Sequence, residues 1–336
     1  MQVAVLAHDS FPDRAKTAVG LLRYGDHEAR AILDRASAGT RVTDHLPGVQ
    51  DAPVVASMAD VPEVDALVIG VAPIGGGFDE SWRPDVRAAL ERGCHVLSGL
   101  HYFLAEDEAF AELAEEHGGK LVDLRKPPEN LTVAEGTAGE VEATVVTTVG
   151  TDCSTGKMTT AYELRDAARR RGLDAVVVPT GQTGVAIEGW GIVIDRVISD
   201  YAAGAVERLV ETPVGMDLVV VEGQGSLAHP AYSGVTTSIL HGSAPDALVM
   251  CHEAGREVVH GYESFELPPP ADYADRYERV AAPVSAAPVV AGALNTQGLD
   301  DDAAADAVTA YSEAIDAPAT DPVRDGVPDR VLEAIL

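Results

Sequence analysis

The residue types best able to do chemistry stand together in Gly150-Thr151-Asp152-Cys153-Ser154-Thr155-Gly156-Lys157-Met158-Thr159-Thr160. An apolar run, ATVVTTVG over 143–150, leads in, and the helical pattern TTAYELRDAARRRG leads out. A phosphate-binding loop requires that order. Glycine allows the tight turn, successive backbone N–H groups face an anion at a helix N-terminus, and Lys157 adds a mobile cation. Residues Gly150 to Thr159 are therefore the candidate cofactor-binding set. Two features depart from the common pattern: five residues, not four, separate Gly150 from Gly156, and Met158 stands where Ser or Thr ordinarily carries the magnesium hydroxyl. Thr159 supplies that hydroxyl only by shifting inward. A phosphate-bearing cofactor held without chemistry at its phosphates fits the loop as well as ATP or ADP with Mg²⁺ does.

Two further loops are expected beside it. Leu218-Val-Val-Val-Glu222-Gly223-Gln224-Gly225-Ser226 takes the place of a Walker B strand, and a carboxylate ending an apolar strand lies at the C-terminal edge where open α/β sheets bind ligands. Glu222 and Thr159 are the candidate metal ligands if a Mg-nucleotide binds. Pro179-Thr180-Gly181-Gln182-Thr183-Gly184 follows another strand of the series and approaches the same crevice. Gln182 and Gln224 are candidates for contacting a polar substrate.

These loops need a layered scaffold, and the rest of the chain reads as one. Short Val/Ile/Ala-rich runs alternate with amphipathic stretches: QVAVLA (2–7), ARAILD (29–34), PVVAS (53–57), ALVIGV (66–71), HVLSG (95–99) and LVDL (121–124). Helices are expected at Lys16–Tyr24, Trp82–Arg92 and Glu106–His117, the last two followed by glycine. A second series runs through 143–150, DAVVVP (174–179), DLVVVEG (217–223), DALVMC (246–251) and PVVAGALNT (288–296). Its nearly continuous apolar runs suit a parallel sheet covered on both faces. The proline-rich segment 267–287 breaks the rhythm and reads as a loop around one short helix, while the acidic run 300–306 starts the next helix. The expectation is two α/β domains: a Rossmann-like parallel-sheet domain over 1–136 and a P-loop NTPase-like parallel-sheet domain over 137–336.

Composition narrows the partners. With 336 residues, 24 Lys plus Arg against 54 Asp plus Glu and a net charge of −30, the chain repels nucleic acid and anionic membranes. Lysine is reduced to Lys16, Lys120, Lys126 and Lys157, which with the pervasive acid suggests a cytoplasm rich in salt that screens self-repulsion. Three scattered cysteines, without a CxxC pair, fit a reducing cytosol. No run reaches the ~18 apolar residues of a membrane span, so a soluble cytoplasmic protein is expected, with a symmetric homo-oligomer the default.

The loop GTDCSTGK resembles that of dethiobiotin synthetase and its relatives, which share the longer spacing. The resemblance widens with Lys16-Thr-Ala-Val-Gly20-Leu-Leu-Arg23-Tyr24-Gly25, the turn 70–77, Ser98-Gly-Leu-His101-Tyr-Phe-Leu104, Asp123-Leu-Arg125-Lys126-Pro-Pro, PTGQTG, VEGQGSLAHPAYSG and LNTQGL. Together these resemble, over essentially the full length, a two-domain family long catalogued as of unknown function. Members of that family are assigned as D-glutamate N-acetyltransferases, working beside an N-acetyl-glutamate racemase of the enolase superfamily in D-glutamate catabolism.

The resemblance implies acetyl-CoA as cofactor, its 3′-phospho-ADP group anchored at the P-loop, and an acidic amino acid as the small-molecule substrate, bound between the domains. Acetyl transfer needs a base for the amine and donors for the oxyanion. His229, just beyond the Walker B-like strand, is the first candidate base, followed by Glu188 and His101. Each also has a plain structural reading: His229 fixing its loop, His101 as a half-buried helix start, Glu188 capping a turn. A dicarboxylate wants guanidinium or ammonium partners, for which Lys16, Arg23, Arg125 and Lys126 are the candidates unless they pair with the abundant acids. The competing readings are an ATP-dependent ligase or kinase using Lys157, Thr159 and Glu222, and a nucleotide-responsive binding protein. A dehydrogenase with Asp34 at a ribose is disfavoured because Ala7-His-Asp-Ser-Phe-Pro12 lacks GxGxxG.

Overall fold

A computed structural model of the chain describes residues 1–73 and 75–336; Ile74, inside the 70–77 turn quoted above, lies outside them. Two parallel sheets of six strands each organise the chain, in two compact units. The first unit is Met1–Pro127 together with Gln182–Arg196, and the second is Pro128–Gly181 together with Val197–Leu336.

In the first unit the strands are β1 (Gln2–Leu6), β2 (Glu28–Leu33), β3 (Val54–Val55), β4 (Ala66–Ile69), β5 (His95–Ser98) and β6 (Leu121–Asp123), in the order β3-β2-β1-β4-β5-β6. This is the Rossmann order, with its switch point between β1 and β4. Val3–Leu6 and Ala66–Ile69 are buried along their whole length, as strands covered on both faces must be. Helices α1 (Lys16–Tyr24), α2 (Arg83–Glu91) and α3 (Glu108–His117) cover them. The stop signals act as expected: Gly93 and Gly118 follow α2 and α3 with φ of 74°. Asp107 caps α3, accepting from Ala109 N at 3.1 Å.

The second unit contains β7 (Thr144–Gly150), α4 (Lys157–Arg170) and β8 (Ala175–Val178). The chain then contributes α5 (Gln182–Glu188) to the first unit and returns for α6 (Ser199–Glu211), β9 (Leu218–Val221), α7 (Ser233–Ser243) and β10 (Ala247–Glu253). It ends with β11 (Val258–Val259), β12 (Tyr262–Glu266), α8 (Pro270–Ala281), β13 (Val289–Asn295), α9 (Asp301–Ile315), β14 (Ala319–Thr320) and α10 (Asp329–Ile335). The sheet order β14-β13-β10-β7-β9-β8 puts β7 between β10 and β9, so their C-terminal ends share one edge. The connection into this unit is fastened by Glu207 of α6, whose carboxylate accepts from the N–H groups of Glu135 (2.6 Å), Gly136 (2.7 Å) and Thr137 (2.8 Å).

Two elements differ from the sequence reading. The proline-rich stretch is a helix start, with Pro270 as the first residue of α8. That helix runs 12 residues and buries Tyr273, Tyr277 and Ala281 at spacing four, so it is a core helix and not a short one within a loop. The antiparallel hairpin of β11 and β12 was not foreseen: every residue of β12 is exposed, so no in–out alternation marks it. The acidic run behaves as expected, Asp300 capping α9 through Ala303 N at 2.9 Å.

Candidate functional site

The β7–α4 loop is a concave run of donors. Gly150 must lack a side chain, because a Cβ there would lie 2.6 Å from Thr155 Oγ1 and 2.9 Å from Lys157 Nζ. Gly156, with φ of 97°, turns the chain into α4. Among the described residues, the backbone N–H groups of Ser154, Thr155, Gly156, Met158 and Thr159 meet no protein acceptor. Lys157, nearly buried, donates from Nζ to the Asp152 carbonyl at 2.7 Å. Unsatisfied N–H groups around a buried ammonium form an anion cradle.

Neighbouring segments lock the loop's shape. Asp152 is fully buried; its carboxylate accepts from Cys153 N (2.7 Å), Arg256 Nη1 (3.0 Å) and His260 N (2.8 Å). Arg256 also donates to the Cys153 carbonyl at 2.6 Å. Ser226 Oγ donates to the Thr151 carbonyl (2.9 Å), and Tyr277 Oη to that of Gly150 (2.7 Å). Thr151 Oγ1 lies within hydrogen-bonding distance, 2.7 Å, of Nδ1 of His252, and burial pushes the pKa of that ring down to about 4, so it is neutral. Asp152, Cys153 and His229 bring one ligand-type atom each within 4.8 Å of one another. They do not suit a metal, because the carboxylate already holds three N–H groups and one belongs to a guanidinium whose charge opposes a cation.

Met158 is buried in the first turn of α4, while Thr159 is partly exposed. Glu222 follows β9 and accepts at Oε2 from Thr180 N (3.2 Å) and Gly181 N (3.1 Å), while Gln224 Nε2 donates to Thr180 O. The expected meeting of the loops after β7, β8 and β9 is therefore present, built by Glu222 holding the β8 loop. Gly223 is required at the crossing: a Cβ there would stand 1.7 Å from Thr148 O.

His229 is buried, and its Nδ1 accepts from Ala231 N at 3.1 Å. Burial lowers its pKa, so the ring is neutral, with the proton on Nε2. Accepting a proton at Nδ1 would break the Ala231 bond.

The remaining predicted residues gather in the first unit. His101 follows β5 and donates its N–H to Gly76 O at 2.9 Å; burial and then the Arg125 charge lower its pKa. Neither ring nitrogen has a hydrogen-bond partner among the described residues, which leaves a neutral imidazole with a lone pair available. Arg125 is buried and committed, donating from Nε to Gly99 O (2.6 Å) and pairing through Nη1 with Asp195. Gln182 packs so near Gly99 that a Cβ there would meet its Cγ at 2.9 Å. Thr17 and Thr183 share a buried hydroxyl contact of 2.8 Å that seats α5 on α1. Glu188 ends α5, partly exposed.

The expected salt bridging holds only for Arg125. Lys16 and Lys126 are exposed and Arg23 is partly so, and none of their side chains forms a hydrogen bond or ion pair among the described residues. Asp34 is unavailable to a ribose: its oxygens accept from Asp9 N (2.6 Å), Ser37 N (3.1 Å) and Ser37 Oγ. Sequence reasoning missed Arg256 and His260, which carry no local signal; they act on a loop residue more than a hundred positions earlier, 104 in the case of Arg256.

A P-loop at the edge of one parallel sheet, with a Rossmann-like unit in the same chain, defines a P-loop α/β protein. The chain belongs to the DUF1611 family: residues 132–332 match its P-loop domain and residues 35–127 its Rossmann-like domain, both described as domains of unknown function. A crystal structure of a DUF1611 family protein from Anabaena variabilis is similar, with a TM-score of 0.93 at 38% identity, covering 99% of this chain and 98% of that one. Two curated relatives are each 36% identical: one from Tritonibacter scottomollicae over 80% of either chain, and one from a Pseudoalteromonas species over 78%. Both are named D-glutamate N-acetyltransferase. Among the described residues no helix is long and apolar enough to cross a membrane.

Proposed function

We propose that this protein is an N-acetyltransferase that moves acetyl from acetyl-CoA to the amine of D-glutamate or a similar acidic amino acid. The observation that carries the reading is the 36% identity over about four-fifths of the chain to relatives of that name. The donor set is compatible with it. Backbone N–H groups and Lys157 suit the phosphates of the 3′-phospho-ADP moiety, while buried Met158 replaces the hydroxyl that Mg-ATP chemistry employs.

His229, whose Nδ1 lone pair is taken by the Ala231 N–H, is not the base of this reading. His101 is the base of this reading, since its lone pair is available and burial keeps it neutral. Lys16, Arg23 and Lys126 are the partners for the amino acid's carboxylates.

The test is mass spectrometry of protein incubated in concentrated KCl with D-glutamate and acetyl-CoA, beside a parallel reaction containing Mg-ATP. N-acetyl-D-glutamate without nucleotide consumption is expected. ADP in the second reaction with no acetylated product in the first would replace this reading with ligase or kinase chemistry.

A further inference from the structure

Aromatic residues make up only 5% of this chain, yet Tyr232, Tyr262 and Phe265 stand 50%, 39% and 48% exposed in one place. Their rings form a connected set. Tyr232 lies 4.6 Å from the His229 ring at a tilt of 33°, Tyr262 meets the same ring edge-on at 5.1 Å, and Phe265 meets Tyr262 at 6.3 Å. His229, buried beneath them, has a ring nitrogen within 4.8 Å of the Cys153 sulfur in the phosphate loop. The exposed aromatics are thus one ring away from the anion cradle.

The patch is also held there. The hairpin carrying Tyr262 and Phe265 is fastened to the loop through His260 N and Arg256, which both donate to Asp152. On the other side Gly225, with φ of 65°, lets Tyr232 approach so closely that a Cβ on Gly225 would lie 2.9 Å from that of Tyr232. Exposed aromatic faces at a fixed distance from a phosphate cradle are a costly surface in water and a suitable one for a flat base.

Building on the proposal that the P-loop holds nucleotide phosphates, we infer that Tyr232 and Tyr262, over His229, seat the purine ring of the same ligand. The phosphates bind the loop N–H groups and Lys157, and the base, one ribose away, stacks on the tyrosines. Recognition through a π-face reads the flat ring and not its hydrogen-bonding edge, so the adenine of coenzyme A and that of ADP are both accommodated.

The experiment is calorimetric titration of wild type and a Tyr232→Ala/Tyr262→Ala variant with coenzyme A, ADP and inorganic tripolyphosphate, with sedimentation velocity on both proteins. The variant is expected to lose about tenfold in affinity for coenzyme A and ADP while binding tripolyphosphate unchanged. The Tyr232→Phe/Tyr262→Phe variant should restore the affinity, since it keeps the rings. The ratio of wild-type affinities for coenzyme A and ADP tells which source of adenine the site prefers. Equal losses for tripolyphosphate and the adenine ligands, no loss at all, or a change confined to oligomeric state would overturn the inference, the last marking the patch as an interface between copies of this chain. Acetyl transfer by wild type with no change in the variant's affinities would sink the purine seat and leave the proposed function standing. A base-selective loss seen with ADP in a protein that binds no coenzyme A would do the reverse.

Discussion

The loops after β1 and β7 occupy matching places, each leaving a strand inside its parallel sheet and entering a helix, and they dispose of their backbone donors in opposite ways. After β1, Asp9 N–H is taken by the Asp34 carboxylate at 2.6 Å, while Ser10 and Phe11 turn back onto Ala7 O. The His8 side chain is bound to Asp85 at 3.0 Å. After β7, the carboxylate within the loop, Asp152, takes only the Cys153 N–H from the loop and is otherwise bound to Arg256 and His260, and the N–H groups of Ser154, Thr155, Gly156, Met158 and Thr159 meet no protein acceptor among the described residues. One topology thus yields a sealed turn or an anion cradle, depending on whether a nearby carboxylate faces the loop's donors or is drawn off by another cation.

The cations of the two units differ in the same sense. In the second unit Lys157 and Arg256 are bonded into the phosphate loop, so the cradle is preformed. Of the four cations of the first unit assigned to a substrate, Lys16, Arg23 and Lys126 form no side-chain hydrogen bond or ion pair among the described residues, and Arg125 is locked onto Asp195. A preformed cradle suits an invariant phosphate group, whereas unpaired long side chains can close on a substrate at the cost of ordering them.

The strongest way to break this contrast is Lys157→Ala. Charge-assisted hydrogen bonds are worth about 1.5–3 kcal/mol each, so coenzyme A affinity by calorimetry should fall about a hundredfold with the melting temperature little changed. Unaltered affinity would remove the β7 loop from any role in anion binding. Next in size is His101→Gln, expected to lower kcat about a hundredfold. In wild type the rate should fall with acidification through an apparent pKa below the ordinary histidine value of 6.5, because the protonated ring has no lone pair to accept from the amine. A pH–rate profile keeping that limb in the variant would exclude His101 as the base.

The sealed loop offers the converse. Asp34→Ala strips the acceptor from Asp9 and Ser37, and a loss of about 2–3 kcal/mol is expected, read as a fall of several degrees in melting temperature. Coenzyme A affinity should not move; if it does, the β1 loop is also part of the ligand site. The smallest effect is expected from Lys16→Ala, within about 0.5 kcal/mol in stability because the side chain is exposed and unpaired. The KM for the acidic amino acid should nevertheless rise severalfold while kcat holds, and an unchanged KM would return Lys16 to the role of a solvated surface charge.

The sequence alone determined two parallel-sheet domains with all six strands of the first sheet and five of the second, the phosphate loop at 150–159, the glycine stop after α3 and the acidic start of α9; β14, two residues long, gave no apolar run to read. Those features are written in windows of a few residues, where apolar periodicity and glycine placement act locally. The hairpin 258–266 was illegible because its exposed β12 has no buried face to impose alternation, and α8 was underestimated because its prolines punctuate a loop and start a helix with the same residues. Only the tertiary structure decided which donors stay unpaired. It turned Asp152 toward Arg256, took the lone pair of His229 with Ala231 N–H, left that of His101 available, and placed 182–196 in the first unit. Each outcome depends on the group that arrives within hydrogen-bonding distance of a given atom, and partners such as Arg256, 104 positions from Asp152, are assigned by packing and by no local preference.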